Sequence, residues 1–365
     1  MTLLFTLAKP LLHRMDPENA HNLTLDLLKH FGPKTRIEDD PRLGVSLFGL
    51  NFSNPIGLAA GFDKNAEVPD AMLGLGFGFV ECGTITPMPQ KGNARPRLFR
   101  LMPDEAVINR FGFNNHGHAL VADRLKARAS SPGIVGINVG ANKDTTDRVS
   151  DYVKGIRAFA SLASYFTVNI SSPNTPGLRT MQSREILDDL LAWTVNERDE
   201  AARHGPKKPV FLKIAPDLSL HDLDDVVEVS RKRGIDALMI SNTTIKRPKS
   251  LHDKKQRLES GGLSGKPLYP LSTKMLSEAY IRVEKQFPLI GVGGVDSART
   301  AIGKIEAGAS LVQLYSALVY KGPALITEIK RGLIERIEKD GLSSPLDLVG
   351  RAVEDWKNWP LESFL

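Results

Sequence analysis

From about residue 54 the chain alternates short apolar runs, bounded by Gly, Asn or Ser, with longer segments in which apolar positions recur at helical spacing. Alternation of this kind predicts β–α units around a parallel sheet. Candidate strands fall at 55–59, 79–82, 134–138, 166–170, 210–214, 237–241, 289–292 and 311–315, with helical stretches such as 183–203, 220–233 and 323–338 between and after them. Eight such units are what a closed TIM (β/α)8 barrel of the α/β class requires; an open doubly wound sheet is the alternative. Two features favour the barrel. The chain has neither a Gly-x-Gly-x-x-Gly after the first strand nor a Walker-type loop, signals expected of a nucleotide-binding open sheet. Polar residues also close nearly every strand, at Lys64, Thr84, Asn138, Asn169, Lys213, Asn242, Gly293-Gly294 and Tyr315-Ser316. A barrel gathers its function at those ends, so one ligand surrounded from all sides is expected.

Ahead of the barrel, residues 1–31 hold two candidate amphipathic helices. Leu4, Leu7, Leu11, Leu12 and Met15 share a face of the first; Ala20, Leu23, Leu27 and Leu28 share a face of the second, which starts at Asp16-Pro17. Both are too short to span a bilayer. The expected organisation is an N-terminal helical extension at 1–40, a barrel at 41–340 and a helical tail at 341–365. A long insertion at 86–133 contains Arg95-Pro96-Arg97-Leu98-Phe99-Arg100 and Asn109-Arg110-Phe111-Gly112-Phe113. Its length marks it as a lid over the barrel mouth.

Composition narrows the choice of function. A chain of 365 residues, 41% hydrophobic and 25% charged, is long enough for one large core, and barrels of this size commonly remain one domain. Forty-eight basic against 42 acidic residues give a formal charge of +6, which suits an acidic ligand or an anionic membrane surface. Nucleic acid is not the expected partner, because the richest basic run (Lys246, Arg247, Lys249, Lys254, Lys255, Arg257) has no interleaved aromatics for stacking on bases. The lone cysteine, Cys82, excludes an intrachain disulfide or a multi-cysteine cluster and points to a reducing compartment. Residues 1–12 show no cleavage site and no presequence pattern, so neither secretion nor organelle import is expected. His116 and His118 lack acidic or cysteine partners at ligand spacing, so no metal is expected.

The most informative stretch is Asn169-Ile170-Ser171-Ser172-Pro173-Asn174-Thr175-Pro176-Gly177, an exposed loop beyond strand four. Such residues also crowd ordinary turns, but Asn109, Asn138 and Asn242 stand at matching places. Several carboxamides converging on one mouth present the donors and acceptors that a planar imide or pyrimidine edge needs. The glycines of 57–65 either permit a tight turn or let a ligand lie against the backbone, with Lys64 contacting a cofactor or carboxylate. Lys213, closing an apolar strand, either snorkels or places its charge in the mouth; the second is favoured, since a cation there would stabilise an anionic reduced flavin. Gly291-Val292-Gly293-Gly294 after strand seven and Tyr315-Ser316 after strand eight occupy positions where barrels bind phosphate. The segment 261–266 is either a closing loop or a flexible surface loop.

Together the segments 57–65, 109–113, 171–177, 241–244, 261–267, 291–296 and 307–316 resemble, in order and spacing, the dihydroorotate dehydrogenases, and specifically their membrane-associated, quinone-reducing class. The resemblance runs from about residue 15 to about residue 325, with the ends matching less clearly. It implies that Ser172 is the catalytic base, relaying its proton through Thr175. It implies FMN held by Ala60, Gly61, Phe62, Asp63, Lys64, Thr84, Asn138, Asn169, Lys213, Ser241, Gly265, Gly293, Gly294, Tyr315 and Ser316. Substrate contacts would come from Lys64, Asn109, Arg110, Phe111, Gly112, Phe113, Asn169, Asn174, Asn242 and Thr243. His21, Arg100 and Tyr315 map onto quinone-contacting positions, for ubiquinone or menaquinone, at the end of a tunnel formed by the apolar faces of the two N-terminal helices. The implied activity is oxidation of dihydroorotate to orotate in de novo UMP synthesis, by a monomer held through those helices on the cytoplasmic face of a bacterial inner membrane. The rival readings are a soluble-class dihydroorotate oxidase using fumarate or NAD, a flavin barrel acting on RNA uridines, and a non-enzymatic membrane-surface module.

Overall fold

Two short strands, β1 (Val45–Leu47) and β2 (Leu50–Phe52), pair antiparallel ahead of the barrel. The barrel itself is built from β3 (Ile56–Leu58), β4 (Phe79–Ile85), β7 (Ile134–Val139), β8 (Tyr165–Asn169), β9 (Val210–Ile214), β10 (Ala237–Ile240), β12 (Leu289–Val292) and β13 (Ala309–Leu314), all parallel and closed in the order β10-β12-β13-β3-β4-β7-β8-β9. These are the strands predicted from the apolar runs, and the computed structural model closes them as a TIM barrel. It describes residues 2–33, 35–175 and 177–360. Pro176 and the predicted tail's residues 361–365 lie outside the described residues, as does the side chain of Leu4.

The sheet is covered on its outside by apolar helix faces. Leu58, Val80, Ile137, Val168 and Leu212 pack against Ile156, Leu187, Leu190, Val226, Leu276 and Ile326 in one buried cluster. A second cluster fills the barrel interior with Phe79, Tyr165, Phe211, Met239, Ile290 and Leu311, stoppered by Val45 and Phe52 of the hairpin. The Phe48 ring lies 4.8 Å from that of Phe211, and Phe52 is 5.2 Å from Phe79. Burying each ring contributes about 1.5–3 kcal/mol. Gly136 on β7 makes room for this filling, because a Cβ there would lie 2.0 Å from the Tyr165 ring. The hairpin escaped the sequence reading because each strand has three residues, too few for a period to register.

The insertion after β4 is more ordered than a loop. It contributes β5 (Leu98–Leu101), β6 (Ala106–Asn109) and the helix Gly117–Ala127. A further strand, β11 (Gly262–Gly265), crosses from a later connection and pairs antiparallel with β6. The stretch left open as a closing or flexible loop is therefore a strand of the lid. Its two glycines carry low strand propensity, and only the distant partner β6 supplies its ladder.

At the N-terminus α1 (Thr2–Arg14) and α2 (Pro17–Phe31) form a helical hairpin. Asp16 caps α2 by accepting from the Glu18 and Asn19 N–H groups, and Pro17 occupies the first turn. Buried Glu18 then accepts from Arg97 at 2.7 Å and Arg95 at 2.9 Å, which ties α2 to the lid. Arg100 donates to the carbonyls of Leu12 and Met15, and His13 lies 2.9 Å from the Val319 carbonyl. The faces differ from the prediction. In α1 the inward residues are Phe5, Ala8 and Leu12, whereas Leu7 and Leu11 are 71% and 64% exposed. In α2, Ala20 and Leu28 are buried against the cavity, Leu27 borders it while remaining exposed, and Leu23 is exposed away from it. Apolar residues occupy more than one side of each helix, and periodicity alone does not say which side meets protein. Among the described residues no helix is long and apolar enough to cross a membrane.

Candidate active site

A single cavity of about 590 Å³ runs from the helical hairpin across the barrel mouth to the underside of the lid. That is within the range of roughly 300–1,000 Å³ usual for small-molecule sites. Its outer end is apolar, walled by Phe5, Ala8, Leu12, Leu27, Leu28 and Phe31. The middle is bounded by Ala60, Gly61, Phe62, Thr84, Lys213, Ser241, Gly265, Gly293, Gly294, Tyr315 and Ser316. The inner end carries Lys64, Asn109, Phe111, Gly112, Phe113, Asn169, Ser172, Asn174, Asn242 and Thr243. His21 and Arg100 also line the cavity, His21 Nδ1 lying 3.4 Å from Tyr315 OH and Arg100 donating to the Leu12 carbonyl of α1.

The amides at the mouth are arranged by one another. Asn242 Nδ2 donates to Ser171 Oγ at 3.0 Å and Ser171 Oγ to Asn169 Oδ1 at 2.9 Å. Asn169 Nδ2 donates to Thr84 Oγ1 at 2.9 Å, and Thr84 Oγ1 to Asn138 Oδ1. Across the mouth Asn174 Nδ2 reaches Asn109 Oδ1 at 3.2 Å. Arg179 ties the two flanking loops, donating to the carbonyls of Ser171 and Thr243 while paired with Asp217 at 2.7 Å. Ser172 is 6% exposed, and its Oγ accepts the Asn174 N–H at 3.2 Å. A donor on that oxygen favours negative charge there.

Burial displaces several titratable groups around the cavity from their ordinary values. Burial pulls the Lys64 ammonium down to about 8, with Glu18 acting the other way; it donates to the Gly61 carbonyl at 2.8 Å and lies 4.4 Å from the centre of the Phe111 ring. Burial also lowers Lys213, opposed by the charge of Glu81, and no described residue accepts a hydrogen bond from it. His21, enclosed by Phe62 at 5.4 Å and Tyr315 at 6.3 Å, is held neutral by burial and by Lys64, its pKa near 3. Gly294 has φ +75°, and a Cβ there would lie 2.4 Å from the Tyr269 side chain, so that turn tolerates no side chain.

Asp63, Asn138, Arg110 and Thr175 do not reach the cavity. Asp63 is buried beneath the first loop, accepting the N–H groups of Asn65, Glu67 and Val68. Asn138 stands behind Thr84. Arg110 turns outward, paired with Glu259 at 2.7 Å and lying over the Phe99 ring at 4.5 Å. The Thr175 hydroxyl is buried with no partner among the described residues. Sequence reasoning missed Glu81, although a carboxylate inside the apolar run Phe79-Val80-Glu81-Cys82 was a readable signal. It also missed Lys304, fully buried and donating to Ser272 Oγ at 2.6 Å, which in turn donates to the Gly293 carbonyl at 3.0 Å. Among the described residues no group of three or more His, Cys, Asp or Glu is placed to hold a metal ion.

A closed parallel barrel with amides, a serine hydroxyl and two buried lysines at its C-terminal mouth, continuous with a cavity under the N-terminal helices, defines a TIM-barrel enzyme with its site at the strand ends. The chain belongs to the dihydroorotate dehydrogenase family, whose model matches residues 42–337. It is 58% identical over 355 residues to the dihydroorotate dehydrogenase (quinone) of Bradyrhizobium diazoefficiens, covering 96% of this chain and 97% of that one. The corresponding protein of Rhodopseudomonas palustris strain TIE-1 is 57% identical over 352 residues, covering 95% of this chain and 97% of its own. Among solved structures, the Eimeria tenella dihydroorotate dehydrogenase in complex with ferulenol superimposes with a TM-score of 0.89 at 39% identity, over 92% of this chain and 95% of that one. Its ligand-free form gives 0.88 at 39% identity, over 92% of this chain and 99% of that one.

Proposed function

We propose that this chain oxidises (S)-dihydroorotate to orotate in pyrimidine biosynthesis, with FMN as redox cofactor and a quinone as electron acceptor. The observation that carries this reading is the continuity of the cavity: serine and carboxamides at one end, an apolar helical tunnel at the other, and Lys213 with glycine backbone between them. The residues in between suit FMN. Gly265, Gly293, Gly294 and Ser316 offer backbone and hydroxyl donors to a phosphate. A buried ammonium without an acceptor, Lys213, suits the edge of an isoalloxazine that gains negative charge on reduction.

The flavin, when bound, supplies two-electron acceptance from the substrate and delivery to the quinone. The chain's own residues do the rest. Ser172 takes the proton from C5 of dihydroorotate, with the Asn174 N–H steadying charge on its oxygen. Thr175, three residues on, with its hydroxyl buried and lacking a partner among the described residues, is the group through which that proton is passed outward. Lys64 and the amides of Asn109, Asn174 and Asn242 hold the anionic pyrimidine, which turns an encounter into an oriented reaction. Phe111 and Phe113 of the lid exclude water from the inner end. His21, Arg100 and Tyr315 receive the quinone head. Residues 1–40 act as the quinone and membrane unit of an otherwise monomeric barrel: exposed Leu7, Leu11, Leu27 and Phe31 give interfacial attachment on the cytoplasmic face of a bacterial membrane.

The test is spectroscopic. Purified protein is expected to be yellow, to bleach when dihydroorotate is added without oxygen, and to recolour with ubiquinone or menaquinone analogues but not with fumarate or NAD. A colourless protein, or a spectrum that dihydroorotate leaves unchanged, overturns the reading.

A further inference from the structure

The mechanism above leaves the buried Glu81 unused. Glu81 stands on β4 inside the barrel, 0% exposed. Its Oε1 accepts Asn138 Nδ2 at 2.8 Å, and its Oε2 accepts Gln313 Nε2 at 3.0 Å, Thr167 Oγ1 at 3.0 Å and Tyr165 OH at 3.2 Å. Two of these donors are amide NH2 groups, which only donate, and the set fits the anionic carboxylate. A barrel interior otherwise filled by Phe79, Phe211, Met239 and Leu311 does not need such a group for packing, since a carboxylate there carries a large desolvation cost. The network leads somewhere. From Glu81 it runs through Asn138 to Thr84, which lines the cavity, and on through Asn169 to Asn242 at the mouth.

We infer that Glu81 is a positioning residue for the redox chemistry: a fixed negative charge beneath the mouth that offsets Lys213, orients the Asn138 and Thr84 side chains, and holds the reduction potential of the bound flavin down. The inference rests on the proposed flavin site. Lys213 stands near the end of β9 and lines the cavity, and no described residue accepts a hydrogen bond from it. The field of Glu81 at Lys213 acts in the direction that keeps the ammonium protonated. In a water-excluded interior such a field is weakly screened. Removing the anion leaves more uncompensated positive charge beside a group that becomes electron-rich on reduction, so reduction becomes easier.

The experiment compares the midpoint potential of the bound flavin in the wild-type holoprotein and in Glu81→Gln, equilibrated with reference dyes. The amide fits the same space: the Tyr165 and Thr167 hydroxyls can turn to accept from it, and Gln313, whose Oε1 has no partner among the described residues, can rotate its own amide to present that oxygen. At least a tenfold shift toward the reduced flavin is expected, an upward change of about 30 mV for a two-electron couple, with flavin content and melting temperature close to wild type. Glu81→Asp keeps the charge and should remain near the wild-type potential. An unchanged or lowered potential in a folded, flavin-loaded Glu81→Gln protein overturns the inference. Should that variant not fold, Glu81→Gln combined with Lys213→Met removes both charges together. It is expected to hold a potential higher than Lys213→Met alone, and equal potentials overturn the inference. A wild-type protein that carries no flavin would instead defeat the proposed function, so the two failures are distinct.

Discussion

At position 172 a nearly buried hydroxyl faces the cavity and accepts one backbone N–H. Ser172→Ala is expected to slow reduction of the flavin by dihydroorotate by about a hundredfold or more, the scale of a lost general base. Stopped-flow absorbance under single-turnover conditions reads this directly, and an unaltered rate removes Ser172 from the role of base. Lys64 makes a pH prediction. Its ammonium is pulled down to about 8, so the cation proposed to hold an anionic substrate is present below that pH and lost as pH rises through it. The profile of kcat/KM should fall above about pH 8, and Lys64→Met should lower kcat/KM and flatten that limb. Both residues were singled out in the sequence, Lys64 by its place after the glycines of 57–61 and Ser172 through the family resemblance. Glu81, Lys304 and the outward turn of Arg110 were not read. Their roles depend on partners 32 to 232 positions away, among them Ser272, Glu259 and Gln313, and no local pattern encodes a distant partner.

At the scale of elements, the hairpin of α1 and α2 is held by charge as much as by apolar contact. Burial pushes the Glu18 carboxyl up, but the hydrogen bond and charge of Arg97, helped by Arg95, bring it below its ordinary value. Breaking a buried pair by removing one partner costs on the order of 3 kcal/mol. Glu18→Gln should therefore loosen α2, seen as faster amide exchange over 17–31 and a raised KM for long-chain quinone with the dihydroorotate half-reaction little changed. Normal protection of α2 in this variant would show that the pair contributes nothing to docking. A deletion test of the tunnel should stop at residue 32, because Asp39 pairs with Lys330 at 2.6 Å and Asp40 with Arg42 at 2.6 Å. Such a truncation is expected to abolish reduction of long-chain quinone while a water-soluble dye is still reduced. The sequence indicated both helices and the Asp16-Pro17 start, since caps and periodicity are local. Which apolar side of each helix lines the tunnel, and that β11 completes the lid, depended on pairings between segments far apart in the chain.

For the whole molecule, the proposed attachment to a membrane and the proposed binding of flavin are the properties to measure. Leu7→Glu with Leu11→Glu alters residues exposed on the hairpin and should weaken sedimentation with anionic vesicles, leaving turnover with a soluble acceptor unchanged; equal vesicle binding would place the contact elsewhere. Flavin at about a hundredfold excess over its dissociation constant should add about 2.7 kcal/mol to the stability of the flavin-free protein, read as a higher melting temperature. The sequence by itself determined the eight strands, their helices and the residues at their C-terminal ends, because apolar periodicity and turn chemistry act over a few neighbours and the barrel repeats one unit. Tertiary structure alone decided that the strands close with a carboxylate inside, that the lid is a three-stranded sheet, and that tunnel, mouth and lid share one cavity. Each of those follows from which distant segments meet, and chain closure brings together groups whose pairing no local stretch of sequence records.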